Sequence, residues 1–122
     1  MYRLNVTSQF SSAHKLDGYE GVCKNLHGHN WKVRVAIECE KTDKIGMTID
    51  FGVVKKHLNE IIEILDHSYL NELPYFKEQN PTSENIAGLF FREMKKKIIV
   101  NGCRVAEVEI WESDSTSMVY FE

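Results

Sequence analysis

His27 and His29, with one glycine between them, are the residues of this chain best placed to do chemistry. They share parity with Trp31, so an extended backbone aims both imidazoles toward one side. Their side-chain origins then stand about 6–7 Å apart, a workable span for gripping one ion. His14 follows the first alternating segment, and an antiparallel neighbour could bring it to the same spot. Three neutral imidazoles make a sound ligand set for zinc, and a fourth position left open would make the ion catalytic rather than structural. Histidines spaced this way can also be ordinary surface or core residues. His57 falls between apolar helix positions and reads as helix surface or boundary.

Other groups could join such a centre. Cys23 lies four residues before His27 in a glycine-containing loop, where a nearby metal would stabilise its thiolate. It could then abstract a proton, become a fourth ligand, or be an incidental free thiol. Asp66 next to His67 offers a carboxylate that orients an imidazole for acid or base work near neutral pH, unless the pair is simply a polar helix end. Glu112 continues the parity of Ala106, Val108 and Ile110, which carries it toward a covered face where a carboxylate needs donors. The edge of a guanidine or aminopyrimidine ligand could supply them, as could backbone amides. The chain has 3 cysteines, an odd number with no zinc-finger spacing. They give little support to a disulfide framework. Cys39 reads as core packing on a strand, and Cys103, at a strand entry, as structural.

These residues need elements to hold them. Tyr2, Leu4 and Val6, followed by Phe10, predict a half-buried strand over 2–10. Residues 15–28 lose the pattern and read as a long loop. Trp31, Val33, Val35, Ile37 and Cys39 share one parity, with Lys32, Arg34 and Glu38 on the other, and mark the clearest strand. Residues 40–50 form a second connection ending in a short extended piece, MTID. Phe51, Val54, Leu58, Ile61, Ile62 and Leu65 recur at helical spacing, with Asp50 able to cap the helix. Pro74 interrupts any helix in the segment that follows. Pro81-Thr82-Ser83-Glu84 is a start signal for a second helix, capped by Thr82 or Ser83, with its buried stripe at Ile86, Phe90, Met94 and Ile98. Asn101-Gly102 stops it. Ala106, Val108 and Ile110, then Val119 and Phe121, mark two more strands. Two strands, two helices and two strands predict an α+β chain, a four-stranded antiparallel sheet covered on one face by two helices. Such a sheet has edges, and pairing them in an oligomer would blunt them.

Length and charge narrow the function. A chain of 122 residues suits one domain, 1–122. A formal charge of −3 gives no reason to expect a nucleic-acid partner. Lys95, Lys96 and Lys97 read as a solvated helix end, with an anion-binding role left open. No apolar stretch is long enough for a membrane span, and the N-terminus lacks the pattern of a signal peptide, so a cytoplasmic address is the expectation.

Six segments in order, FSSAH (10–14), CKNLHGHNWKV (23–33), MTIDFGVVK (47–55), LDHSYLNEL (65–73), PTSENIA (81–87) and VEIWES (108–113), bring a family into view. The chain resembles the 6-pyruvoyltetrahydropterin and 6-carboxytetrahydropterin synthases. That resemblance implies a tunnelling fold, trimers whose sheets close into a barrel, hexamers of two trimers, and active sites at subunit interfaces. It assigns His14, His27 and His29 to zinc, Cys23 to the catalytic thiol, and Asp66 and His67 to a proton relay. Glu112 matches the residue that anchors the pterin ring, and Thr82, Ser83 and Glu84 fall at the ring pocket. The implied substrate is 7,8-dihydroneopterin triphosphate, a reduced pterin triphosphate. The chain's shortness favours the queuosine-pathway branch, which forms 6-carboxytetrahydropterin, acetaldehyde and triphosphate. The sibling branch eliminates triphosphate and leaves a pyruvoyl group, and a zinc-containing pterin-binding protein without turnover is the alternative outside enzymes.

Overall fold

Alternation of apolar and polar residues produces two long, matched strands at the start of the chain. In the computed structural model, which describes residues 1–21 and 24–122, β1 (Tyr2–His14) and β2 (His27–Cys39) each run 13 residues. They pair antiparallel from Tyr2↔Cys39 to His14↔His27. Both extend further toward the histidines than the periodicity indicates, because polar residues replace the apolar stripe there. Trp31, Val33, Val35, Ile37 and Cys39 are completely buried, as their shared parity predicts.

The spacing change at Phe51 gives α1 (Phe51–Leu65). Asp50 caps it, its Oδ1 accepting from the Gly52 amide at 2.7 Å. The second helix, α2 (Ser83–Lys97), is capped by Thr82 rather than Ser83: the Thr82 hydroxyl accepts from the Asn85 amide at 3.1 Å. Lys95, Lys96 and Lys97 fill its last turn, where cations complement the carbonyl end of the helix. Both helices lie on one face of the sheet, α1 against β1 and α2 against the last two strands of the chain, and bury Val54, Leu58, Leu65, Ile86, Phe90 and Met94 in the core between the layers.

The sheet has five strands rather than four, in the order β3-β1-β2-β4-β5, where β3 is Ser68–Tyr69, β4 is Cys103–Ser113 and β5 is Thr116–Phe121. The extra strand is two residues long and pairs parallel to β1 at Ser12 and Ala13. A pair this short leaves no periodicity to read. Two short 3₁₀ turns, Leu70–Glu72 and Pro74–Phe76, follow it. The extended piece expected at MTID is a run of bends, anchored upstream by Asp43, whose Oδ1 accepts from the Ile45 and Met47 amides at 3.0 Å.

Strand β4 departs from simple alternation twice. Against β2 the register passes from Ala36↔Glu107 to Ile37↔Val105, so Ala106 is an extra residue and Val105 takes the core position expected for it. Against β5 the register passes from Trp111↔Ser117 to Ser113↔Thr116, which leaves Glu112 as the extra residue of a second bulge. Bulges bend a strand and re-aim one side chain.

The cysteines give a further correction. Cys39 and Cys103 are directly opposite in the β2–β4 register and are joined as a disulfide. Sequence spacing cannot show this, because 64 residues separate them and only strand pairing brings them together.

Replacing Asp50 by alanine removes the cap of α1 and should lower the unfolding free energy by about 1 kcal/mol. Urea denaturation checks this through a lower midpoint at unchanged slope; an unchanged midpoint would show that the cap contributes nothing.

Candidate metal centre

The β1–β2 register decides where the histidines go. His14 stands opposite His27 and Ser12 opposite His29, all on the helix-covered face. The three rings crowd together, with centroids 4.5 Å (His14–His27), 4.7 Å (His27–His29) and 5.2 Å (His14–His29) apart. One nitrogen from each lies within 4.8 Å of the others.

Hydrogen bonds fix which nitrogens face inward. His14 Nδ1 is 2.7 Å from the Pro81 carbonyl and His27 Nδ1 is 2.7 Å from the Asn25 carbonyl. A carbonyl only accepts, so both imidazoles carry their proton on Nδ1 and present a bare Nε2 lone pair. Those two Nε2 atoms are 2.9 Å apart. Lone pair facing lone pair at that range is repulsive unless a cation or shared proton lies between them. His29 Nε2 is also buried without a hydrogen-bond partner. Leaving a polar atom in that state costs about 1–3 kcal/mol. Two bare lone pairs and one unpartnered ring nitrogen on one face answer to a metal ion, and the carbonyl partners of His14 and His27 are the outer hydrogen bonds that metal-bound histidines ordinarily have. Tetrahedral nitrogen ligands at about 2.0–2.1 Å stand roughly 3.4 Å apart, close to the geometry here. The residues present therefore fit a metal.

Electrostatics point the same way. His14 is 1% exposed, and burial pushes its imidazole below the ordinary histidine range, against the Pro81 carbonyl and with help from His27. Burial also lowers His29, partly opposed by the Glu112 carboxylate. Neutral rings are the ligand form.

Glu112, at the second bulge, sets its carboxylate beside this centre. Oε2 lies 3.8 Å from His29 Nε2, and Oε1 accepts from the Ser83 hydroxyl at 2.7 Å. Ser83, Glu84 and Glu112 line a cavity of about 230 Å³ with Thr116, Ser117 and Met118. The last three carried no sequence signal, since they face the cavity only through the β4–β5 hairpin. Thr82 sits beside it, with its hydroxyl engaged as the cap of α2.

Asp66 and His67 form a separate pair at the C-terminal end of α1. His67 Nδ1 is 3.0 Å from Asp66 Oδ2, and the His67 side chain is 84% exposed. Asp66 Oδ1 accepts from the Ser11 amide at 2.8 Å, and the His67 amide donates to the Ser11 carbonyl. The Ser11 amide, with lesser help from His67, holds the Asp66 carboxyl below its usual range. His67 has φ 54°, a left-handed backbone uncommon outside glycine. This clamp on β1 was not legible in sequence, because it uses backbone groups of Ser11. His57 is half-buried in the middle of α1, 3.4 Å from Glu60. Cys23 lies outside the described residues.

A mostly antiparallel sheet with two helices on one face, carrying three converging imidazoles beside a hydroxyl-held carboxylate, defines an α+β protein with a metal-competent centre. The sequence pattern of the 6-pyruvoyl tetrahydropterin synthases matches residues 3–122, and the chain belongs to that family of pterin synthases. It is 33% identical over 117 residues to the 6-carboxy-5,6,7,8-tetrahydropterin synthase of Synechocystis, covering 92% of this chain and 87% of that one. It is 34% identical over 104 residues to the human 6-pyruvoyl tetrahydrobiopterin synthase, covering 82% and 70%. The structure of the Caenorhabditis elegans 6-pyruvoyl tetrahydropterin synthase superposes with a TM-score of 0.89 at 26% identity, over 99% of this chain and 95% of that one. No helix among the described residues is long and apolar enough to cross a membrane.

The lowered histidines give a pH prediction for metal-free protein. Between their depressed values and about 6.5, the unfolded chain binds more protons than the folded one, so stability rises with pH. Denaturation in chelator should show a lower midpoint at pH 5.5 than at 7.5, and a shallower dependence in His14→Gln. Equal midpoints would contradict it.

Proposed function

We propose that this chain is a zinc-dependent carbon–carbon lyase that converts 7,8-dihydroneopterin triphosphate to 6-carboxy-5,6,7,8-tetrahydropterin, releasing acetaldehyde and triphosphate, in the synthesis of queuosine and related 7-deazapurines. The observation that carries the reading is the convergence of three imidazole nitrogens, the nearest of them, His29 Nε2, 3.8 Å from the Glu112 carboxylate. It joins a place for an ion to an anchor for a ring with N–H donors along one edge. The relative in Synechocystis, named for the 6-carboxy product, supports this branch.

His14, His27 and His29 hold the metal in this reading. When bound, zinc supplies stabilisation of negative charge developing on substrate oxygens. Glu112, oriented by the Ser83 hydroxyl, accepts N–H bonds from the aminopyrimidine edge and so fixes the ring. Thr82 fixes the helix end that presents Ser83, and Glu84 borders the same cavity. Cys23, as thiolate, removes a proton from the substrate side chain. His67, held by Asp66, returns or removes another.

His67 is largely exposed, so its substrate is approached from outside the chain's own core. An active site shared between subunits accounts for that. Strand β5 leaves a sheet edge with Met118, Val119 and Phe121 exposed, and Phe121 is 70% exposed. Edge pairing in a trimer, doubled to a homohexamer in the cytoplasm, would cover it. The human and C. elegans relatives support a second reading, in which the same groups eliminate triphosphate to give a 6-pyruvoyl product.

Product analysis after incubating zinc-loaded protein with dihydroneopterin triphosphate separates the readings. Acetaldehyde with the 6-carboxy pterin is the expected result; a pyruvoyl pterin would replace it with the sibling activity. No turnover by zinc-loaded protein would leave a binding protein. The Cys23→Ala variant should keep its metal and assembly while turnover falls about 10²–10⁴-fold; normal turnover would remove Cys23 from the mechanism.

A further inference from the structure

Cys39 and Cys103 take no part in the centre just described. Cys39 ends β2 and Cys103 begins β4, at the opposite end of the strands from His27 and Glu112. With 13 residues in β2, that end lies roughly 40 Å from His27 at about 3.3 Å per residue. The two residues face each other in register with Cα atoms 4.1 Å apart and their sulfurs joined.

The two sulfurs differ in access. Cys39 is completely buried in the core. Cys103 is half-buried and lines a cavity of about 260 Å³ with Phe91, Ile98, Lys95, Arg104 and Glu122. Lys95 pairs with Glu122 at 3.2 Å, and Arg104 pairs with Glu38 at 2.6 Å. The cavity wall thus carries two cations and one carboxylate. Each cation is also paired with a carboxylate, so the wall is mixed in charge, and its lysine and arginine offer contacts to the carboxylates of an anionic exchange partner.

We propose that Cys39 and Cys103 form a reversible redox-modification site, with Cys103 as the exchanging sulfur, Cys39 as the resolving sulfur and an anionic low-molecular-weight disulfide of the glutathione class as oxidant. The Cys103 thiolate attacks one sulfur of the small disulfide, forming a mixed disulfide and expelling one small thiolate. Cys39 then gives up its proton and attacks Cys103 Sγ, releasing the second small thiol. Two protein thiols are oxidised and one small disulfide is reduced to two thiols. Excess small thiol reverses the sequence by attacking the accessible Cys103 sulfur. The bond ties β2 to β4, the strands that carry His27, His29 and Glu112, and closes a separation of 64 residues. It therefore restrains the frame of the centre without touching its ligands. The site is independent of which pterin product the enzyme makes.

The test uses full-length protein, reduced and then exposed to oxidised glutathione, with peptide mapping by mass spectrometry. Wild-type protein should lose two thiols per chain and yield the Cys39–Cys103 cross-link, with a raised Tm and unchanged metal content. Cys39→Ala should stop at a glutathione adduct on Cys103, whereas folded Cys103→Ala should carry none on Cys39. If Cys39→Ala fails to fold, an acid-quenched time course of wild-type protein should catch the transient adduct on Cys103. An adduct on Cys39, a cross-link through Cys23, or two thiols that stay free would each overturn the proposal.

Discussion

Antiparallel pairing of β1 with β2 is the constraint on which the rest of this structure depends. It places His14 opposite His27 and Ser12 opposite His29. Side chains alternate between faces, so a slip of one residue would send a strand's histidines to the wrong side of the sheet. Burial makes that slip costly. Phe10 and Trp31 stack at 5.9 Å with nearly parallel rings, Phe10 also packs on Phe90 of α2, and the Trp31 Nε1–H donates to the Ser12 carbonyl at 3.3 Å. A slip would expose two large aromatic rings and most of the stripe from Val33 to Cys39. The core thus holds the imidazoles in place although its apolar side chains offer no ligand atom of their own.

A second dependence runs through three consecutive residues. The Pro81 carbonyl orients His14, the Thr82 hydroxyl caps α2, and the Ser83 hydroxyl holds Glu112. One helix start therefore sets the tautomer of a metal-competent histidine and the direction of the carboxylate beside it. Proline contributes a carbonyl here while its missing N–H leaves no donor to satisfy. The Glu112 bulge completes the arrangement from the sheet side, so centre and cavity share a wall.

Much of the fold was legible because its period is local. The stripes from Trp31 to Cys39, Phe51 to Leu65 and Ile86 to Ile98 each report one buried face, and Asp50 caps its helix as its type suggests. What sequence could not show depends on contacts far along the chain. The two-residue strand β3, the Ser11 clamp on Asp66 and the cysteine pair all need the tertiary register. One bulge gives Val105 the place in the core cluster that parity implied for Ala106, and a second falls at Glu112. For the site, His27 and His29 were readable from their shared parity and His14 from the strand it follows, while the tautomers of His14 and His27 were not, because both acceptors are backbone carbonyls. The exposure of His67 was equally hidden, since it follows from a left-handed backbone at the helix end.

The account rests on three imidazoles holding one zinc with a position left open for substrate. X-ray absorption at the zinc edge of purified, zinc-loaded protein measures that arrangement directly. It should show about one zinc per chain with three nitrogen neighbours at about 2.0–2.1 Å and one further light atom. A sulfur neighbour at about 2.3 Å would mean that a thiolate closes the site, and protein that takes up no zinc would remove the centre altogether.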